Sequence, residues 1–156
     1  MRPQLVEDLA SSMIEFNVKP EIEVFDFSML YSAKELAERG LIKRPLHVQF
    51  VLGILNALPA RRRVLELLVS EIKEIMPDAT WAAAGIGRHQ LEVNRWTLEL
   101  GGHLRTGLED NIKFDRERLA KSNAELVARL RDMCGEFGRH AASLPEARKI
   151  LNLAPA

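Results

Sequence analysis

The sequence predicts an α/β fold with one parallel sheet, curved as part of a (β/α)₈ barrel, and three observations carry that expectation. Strand-period and helix-period segments alternate four times with no linker or low-complexity stretch between them, as in βα units joined by right-handed crossovers. Within the strand segments polar and apolar residues separate by parity: Glu21 and Glu23 against Ile22 and Val24, His47 and Gln49 against Val48 and Phe50, with His103 and Arg105 sharing a further parity. A doubly wound sheet buries both faces and has little use for a polar one, whereas a barrel directs its polar face inward toward a mouth at the strand carboxyl ends. Finally, four strands in 156 residues do not close an eight-stranded barrel, which takes about 250 residues.

The elements follow in order. Leu5, Leu9, Met13 and Phe16 recur at helical spacing, and Asn17 suits a left-handed helix stop. Residues 21–26, EIEVFD, alternate as a strand, and Ser28 is placed to cap a helix running to about Arg39, closed by Gly40. The cycle repeats with a strand at 46–53, a helix at about 61–75, a strand at 80–87, a helix at about 89–99, a strand at 102–109 and a long helix at about 116–137. Pro145 starts a last short helix, 146–151. The whole of 1–156 reads as a single domain, and its opening helix before the first strand is what a chain beginning midway through the repeat series would show.

At 47% hydrophobic and 28% charged, with Lys+Arg and Asp+Glu both numbering 22, the chain has an ordinary globular composition and no net charge. It therefore lacks the electrostatic footprint of a nucleic-acid or anionic-membrane binder. Charges interrupt the apolar residues of the first sixteen positions, which argues against a signal peptide or span and makes the cytoplasm the default. Cys134 is the only cysteine and falls in a helical apolar run with Leu126, Leu130 and Met133, so it is expected to pack. Trp81 and Trp96 are likewise expected in the core.

The residues with the strongest claim to chemistry are Arg105, Glu109 and Asp110, three charges at the carboxyl end of the last strand, where a barrel's site assembles. A structural Arg–carboxylate bridge is the competing reading. Glu23 is inward-facing near its strand end, with Glu21 as competitor; His47 and Gln49 can line a pocket or pair within the core, and His103 lies deeper by the strand period. GIGRH, 85–89, runs from strand to helix, so the Gly87 backbone and Arg88 are candidates to hold an anion. Arg61, Arg62 and Arg63 read as a solvated face.

Four segments taken together, KPEIEVFDFSMLYSAKELAERGLI (19–42), PLHVQFVLG (45–53), TWAAAGIGRHQL (80–91) and GGHLRTGLEDN (101–111), resemble the β-keto acid cleavage enzymes, including those acting on 3-keto-5-aminohexanoate. The resemblance implies a (β/α)₈ barrel with these strands as its fifth through eighth, acetyl-CoA and a β-keto acid as substrates, and a zinc ion. It implies Glu109 as a zinc ligand, Asp110 as general base, Arg105 as its electrostatic partner and Glu23 as a substrate-positioning carboxylate. It also implies about as much sequence again ahead of Met1, including a His-x-His zinc pair. None of His47, His89, His103 and His140 forms such a pair, and the loop GILNALPA (53–60) departs from the Gly-Gly form of some members. Two functions follow: an acyl-transferring carbon–carbon lyase, or a non-catalytic half-barrel that becomes whole only by association. Open sheet edges favour a homo-oligomer or pairing with the missing amino-terminal half.

Overall fold

The computed structural model describes residues 3–153, so the outermost positions of the expected domain lie outside the described residues. Helix α1 (Pro3–Glu15) leads into β1 (Glu21–Val24), α2 (Ser28–Glu38), β2 (His47–Leu52), α3 (Arg62–Ile75) and β3 (Thr80–Gly85). A single 3₁₀ turn at Gly87–His89 opens α4 (Gln90–Leu100), followed by β4 (His103–Leu104), α5 (Asn123–Glu136) and α6 (Leu144–Ile150). The four strands form one parallel sheet in chain order, β1-β2-β3-β4. This is the expected α/β architecture, a partial (β/α)₈ barrel.

Register explains the parity. Glu21 pairs with His47 and His47 with Thr80, while Glu23, Gln49, Ala82 and His103 form one continuous row across all four strands. The alternate row, Val24–Phe50–Ala83–Leu104, faces the helices. There Val24, Phe50 and Ala83 are fully buried with Leu65, Leu68 and Ile72 of α3 and Leu30 of α2. Trp81 packs its ring 5.9 Å from that of Phe50. It also lies against Gly102, where an added Cβ would stand 2.3 Å from the indole, so the approach of β4 to the core requires a glycine there. Cys134 is buried with Leu98, Leu130 and Met133, as its helical spacing predicts.

The polar face is concave. The rings of His47 on β2 and His103 on β4 are 6.0 Å apart, although β3 lies between their strands. Arg105, just past β4, bonds Glu23 on β1. A flat sheet would separate those outer strands by about 14 Å, three spacings of about 4.8 Å.

Three boundaries differ from expectation. The strand expected over 102–109 is only two residues long, because the N–H groups of Asp110 and Asn111 both donate to the Gly107 carbonyl (3.1 Å each) and fold the segment into a turn. The helix expected from about 116 begins at Asn123. Asp115 takes the N–H groups of Glu117 and Arg118 (2.8 and 2.9 Å), Lys113 bridges Leu119, and Ser122 caps the helix by accepting from the Glu125 N–H at 3.2 Å. Ser28 does not cap α2; the Asp26 carboxylate does the local work, accepting from the N–H and hydroxyl of Ser28 at 2.9 and 2.6 Å. Among the described residues no helix is long and apolar enough to cross a membrane.

Candidate functional site

The turn that ends β4 places its charges at the carboxyl end of the sheet. Arg105 meets Asp110 with two parallel bonds, Nε to Oδ2 at 3.0 Å and Nη2 to Oδ1 at 2.9 Å. Its remaining arm, Nη1, donates to Glu23 Oε1 at 2.6 Å, and Gln49 Nε2 donates to the same oxygen at 3.0 Å. A planar fork can serve two carboxylates in fixed directions in a way an ammonium cannot. The Asp110 side chain is 3% exposed, so this guanidinium is its shield from an otherwise costly burial. In return the hydrogen bonds that Arg105 donates to Asp110, and after the opposing effect of burial the one to Glu23, raise its pKa above its already high value and keep it charged.

Of the two glutamates, it is Glu23 that Arg105 engages. Glu23 accepts from Arg105 and Gln49; Glu21 lies two register pairs deeper, its pKa raised by burial, lowered less by Arg105 and raised again by Glu23. Glu109, by contrast, is 87% exposed and 3.6 Å from Arg105. His47 occupies the amino end of β2, away from the strand carboxyl ends, with Nδ1 2.8 Å from Thr80 Oγ1. His103 sits nearby on the same inner face, its pKa lowered by burial and by Arg139.

Burial, His103 and Lys19 push the His47 pKa down to about 4, so the ring is neutral at physiological pH. The unfolded chain, with its histidine near 6.5, then binds more protons than the folded one between about 6.5 and 4, and stability falls as pH drops through that window. With screening by the solvent that still reaches the ring, the loss is roughly 1–2 kcal/mol. Urea midpoints at pH 7 and pH 4.5 should show this fall, and His47→Gln should flatten it; an equal fall in the variant would assign the effect elsewhere.

Gly87 and Arg88 do not form the expected anion cradle. Gly87, at φ +60°, donates its N–H to the Asp110 carbonyl at 2.7 Å, and Arg88 is exposed with Nε 3.5 Å from His89 Nε2. The turn instead fixes the backbone of Asp110. Two supports were missed by sequence reasoning: Gln90, 1% exposed, donates to the Gly107 carbonyl at 3.3 Å, and Asn123 Oδ1 accepts from the Leu108 N–H at 2.7 Å. A glutamine on the apolar face of a predicted helix was the available signal for the first. Asn123 carries no comparable signal.

Chemically, the site offers a buried carboxylate with its orientation set by a fork and lone-pair capacity remaining for a substrate proton. It does not offer a zinc site of its own: among the described residues no three His, Cys, Asp or Glu side chains converge on one point, and Glu109 stands as a lone exposed carboxylate.

Comparison with known proteins adds a family and a fold. The family model of the beta-keto acid cleavage enzyme matches residues 1–153. A 3-oxoadipate:acetyl-CoA acetyltransferase of Cupriavidus necator is 50% identical over 151 residues, 97% of this chain and 53% of the relative. A 3-keto-5-aminohexanoate cleavage enzyme of Fusobacterium nucleatum is 42% identical over 95% of this chain and 53% of its own length. A 3-dehydrocarnitine:acetyl-CoA trimethylamine transferase of Rhizobium meliloti is 32% identical over 97% and 49%. The chain thus spans about half the length of the curated relatives it matches. Among solved structures, ObcA in a binary complex with oxaloacetate superposes with a TM-score of 0.83 at 17% identity, over 99% of this chain and 42% of that one. ObcA in a ternary complex with a C4-CoA adduct and oxalate also gives 0.83, at 18% identity over 97% and 41%.

Proposed function

The chain belongs to the beta-keto acid cleavage enzyme family, as its carboxyl-terminal half, and from that premise we propose that it carries the acid–base half of an acyl-transferring carbon–carbon lyase. The reaction is a β-keto acid plus acetyl-CoA giving acetoacetate and a new acyl-CoA. One observation carries this reading: Arg105 holds Asp110 and Glu23 together across the concave face at the strand carboxyl ends. The names of the relatives support the chemistry, since all three name a compound oxidised at its third carbon, two of them together with acetyl-CoA and the other with its cleavage.

In this reading Asp110 accepts a proton from the bound keto acid, and the two hydrogen bonds from Arg105 keep that carboxylate aimed. Glu23, fixed by Gln49 and Arg105, orients the substrate. The carbanion so formed at C2 attacks the acetyl thioester carbonyl and expels the coenzyme A thiolate; that thiolate then attacks the original keto carbonyl, the bond from that carbon to C2 breaks to release the new acyl-CoA, and Asp110 returns its proton to C2 to give acetoacetate. A zinc ion, if bound, would take one carboxylate from Glu109 and polarise the keto acid, and its other ligands would have to come from outside the described residues. Because the residues present do not complete that metal site, none of these proton and orientation steps is assigned to it.

The competing reading, a non-catalytic half-barrel, draws on the same shortage of metal donors. The deciding assay is acetoacetate formation from acetyl-CoA with 3-oxoadipate, 3-keto-5-aminohexanoate and 3-dehydrocarnitine, using the chain joined with the remainder of a family barrel. Turnover of at least one acid is expected. Silence with all of them, from a folded and zinc-loaded assembly, would sink the lyase reading.

A further inference from the structure

Three alanines in succession, Ala82, Ala83 and Ala84, form the middle of β3, a strand paired on both sides. Alanine is depleted in strands and has nothing beyond Cβ to pack, so the run calls for a reason at each position. Ala83 has one: it faces the helices and belongs to the same apolar cluster as Phe50 and Leu65. Ala82 and Ala84 alternate to the other face. They are 4 and 0% exposed, and Val51, paired with Ala84, is 2% exposed, yet none of the three belongs to either apolar cluster. Side chains lying over the concave face therefore bury them.

Two contacts cross that face above β3. His103 of β4 brings its ring to 6.0 Å from that of His47 on β2, in the layers of Thr80 and Ala82. One layer further toward the strand carboxyl ends, Arg105 follows the Ala83–Leu104 pair, which sets it level with Ala84 and Val51, and its Nη1 reaches Glu23 on β1 at 2.6 Å. In a concave sheet the Cβ atoms of one layer converge, so such a crossing requires space over the middle strand. Every inner position of β3 is small, Thr80, Ala82 and Ala84, where its neighbours carry His47 and Gln49 on one side and His103 and Arg105 on the other.

We propose that Ala82 and Ala84 are positioning residues for Arg105: with side chains no larger than a methyl group, they leave a saddle over β3 through which the guanidinium passes to join Glu23 to Asp110. A β-branched residue at 84 would occupy that path. Arg105 would then keep Asp110, which lies in its own turn, and lose Glu23. The consequence for turnover rests on the lyase reading; the saddle itself does not.

The test is a double-substitution cycle on the chain itself, read by urea midpoint. Glu23→Ala removes the acceptor at the far end of the path. Ala84→Val should lower the midpoint less in that background than in the parent, by about 0.3 M or more, because the bond it displaces is already gone. Ala83→Val, on the helix side, should lower it equally in both. Equal falls for Ala84→Val overturn the proposal, and so does the same discount for Ala83→Val. Should Ala84→Val not fold, Ala84→Cys, one heavy atom larger than alanine, carries the comparison with the same two outcomes. With the chain joined to the remainder of a family barrel, Ala84→Val should cut kcat about a hundredfold and leave the KM for acetyl-CoA within about threefold of the parent; an unchanged kcat overturns the positioning role. A barrel that makes no acetoacetate while the coupling holds sinks the lyase reading and leaves the saddle standing, whereas turnover without coupling does the reverse.

Discussion

Purified by itself, the chain is expected to hold well under one equivalent of zinc and to form acetoacetate at least about a thousandfold more slowly than the completed barrel. Catalytic zinc takes three protein ligands and keeps one position open. Among the described residues the donors gather no such group: Glu109 is 87% exposed and 3.6 Å from a guanidinium, whose charge opposes a cation at the same carboxylate. His47 and His103 are not substitutes, because they lie on the inner face toward the strand amino ends, one bonded to Thr80, with burial lowering the pKa of both. Binding energy for a metal scales with donors already deprotonated and placed, and a single carboxylate supplies little of it. Loss of the metal's polarisation, together with an open and hydrated concave face, accounts for the expected deficit in rate. Zinc content and acetoacetate formation would be measured for the chain, for Glu109→Gln and for the chain plus its complementary half. Stoichiometric zinc in the chain alone, with turnover abolished by Glu109→Gln, would show that a complete site assembles after all.

Much of this was legible from residue order, and the reason is period. Alternation of Glu21 with Ile22 and of His47 with Val48 fixed which face is polar, because neighbouring parallel strands in register keep parity across the sheet. The Arg105–Asp110 pairing was also readable, since five positions on one turn leave little else for those charges to do. What was not readable came from contacts between elements distant in sequence. That Glu23 rather than Glu21 is paired depends on an arginine 82 positions later. Gly87 looked like an anion binder because a glycine turn before a helix has free N–H groups in isolation, and only the fold brings the Asp110 carbonyl to 2.7 Å from it. The short β4 and late start of α5 were hidden for a related reason: Asp115, Asn111 and Ser122 satisfy backbone groups locally and outcompete the periodic signal.

Replacing Arg105 is expected to be the most damaging single change in the described fold. Arg105→Met keeps most of the side-chain volume but strips Asp110 of both its side-chain donors, Glu23 of one, and the exposed Glu109 of its nearest cation. Removing one partner of a buried pair leaves an uncompensated charge, at a cost of about 3–5 kcal/mol. Here the carboxylate left behind is 3% exposed, whereas Glu23, at 43%, recovers much of its solvation from water. Arg105→Lys restores a positive charge without the fork, so it should recover part of the stability and leave Asp110 free to rotate. Asp110→Asn should be milder than Arg105→Met, because the amide is neutral and Arg105 retains Glu23. The order Arg105→Met, then Arg105→Lys, then Asp110→Asn in urea midpoint separates a guanidinium that shields a buried carboxylate from a surface ion pair worth under about 1 kcal/mol. If Arg105→Met shifts the midpoint no more than such a surface pair would, Asp110 is not held as the geometry indicates, and its role as an oriented base falls with it.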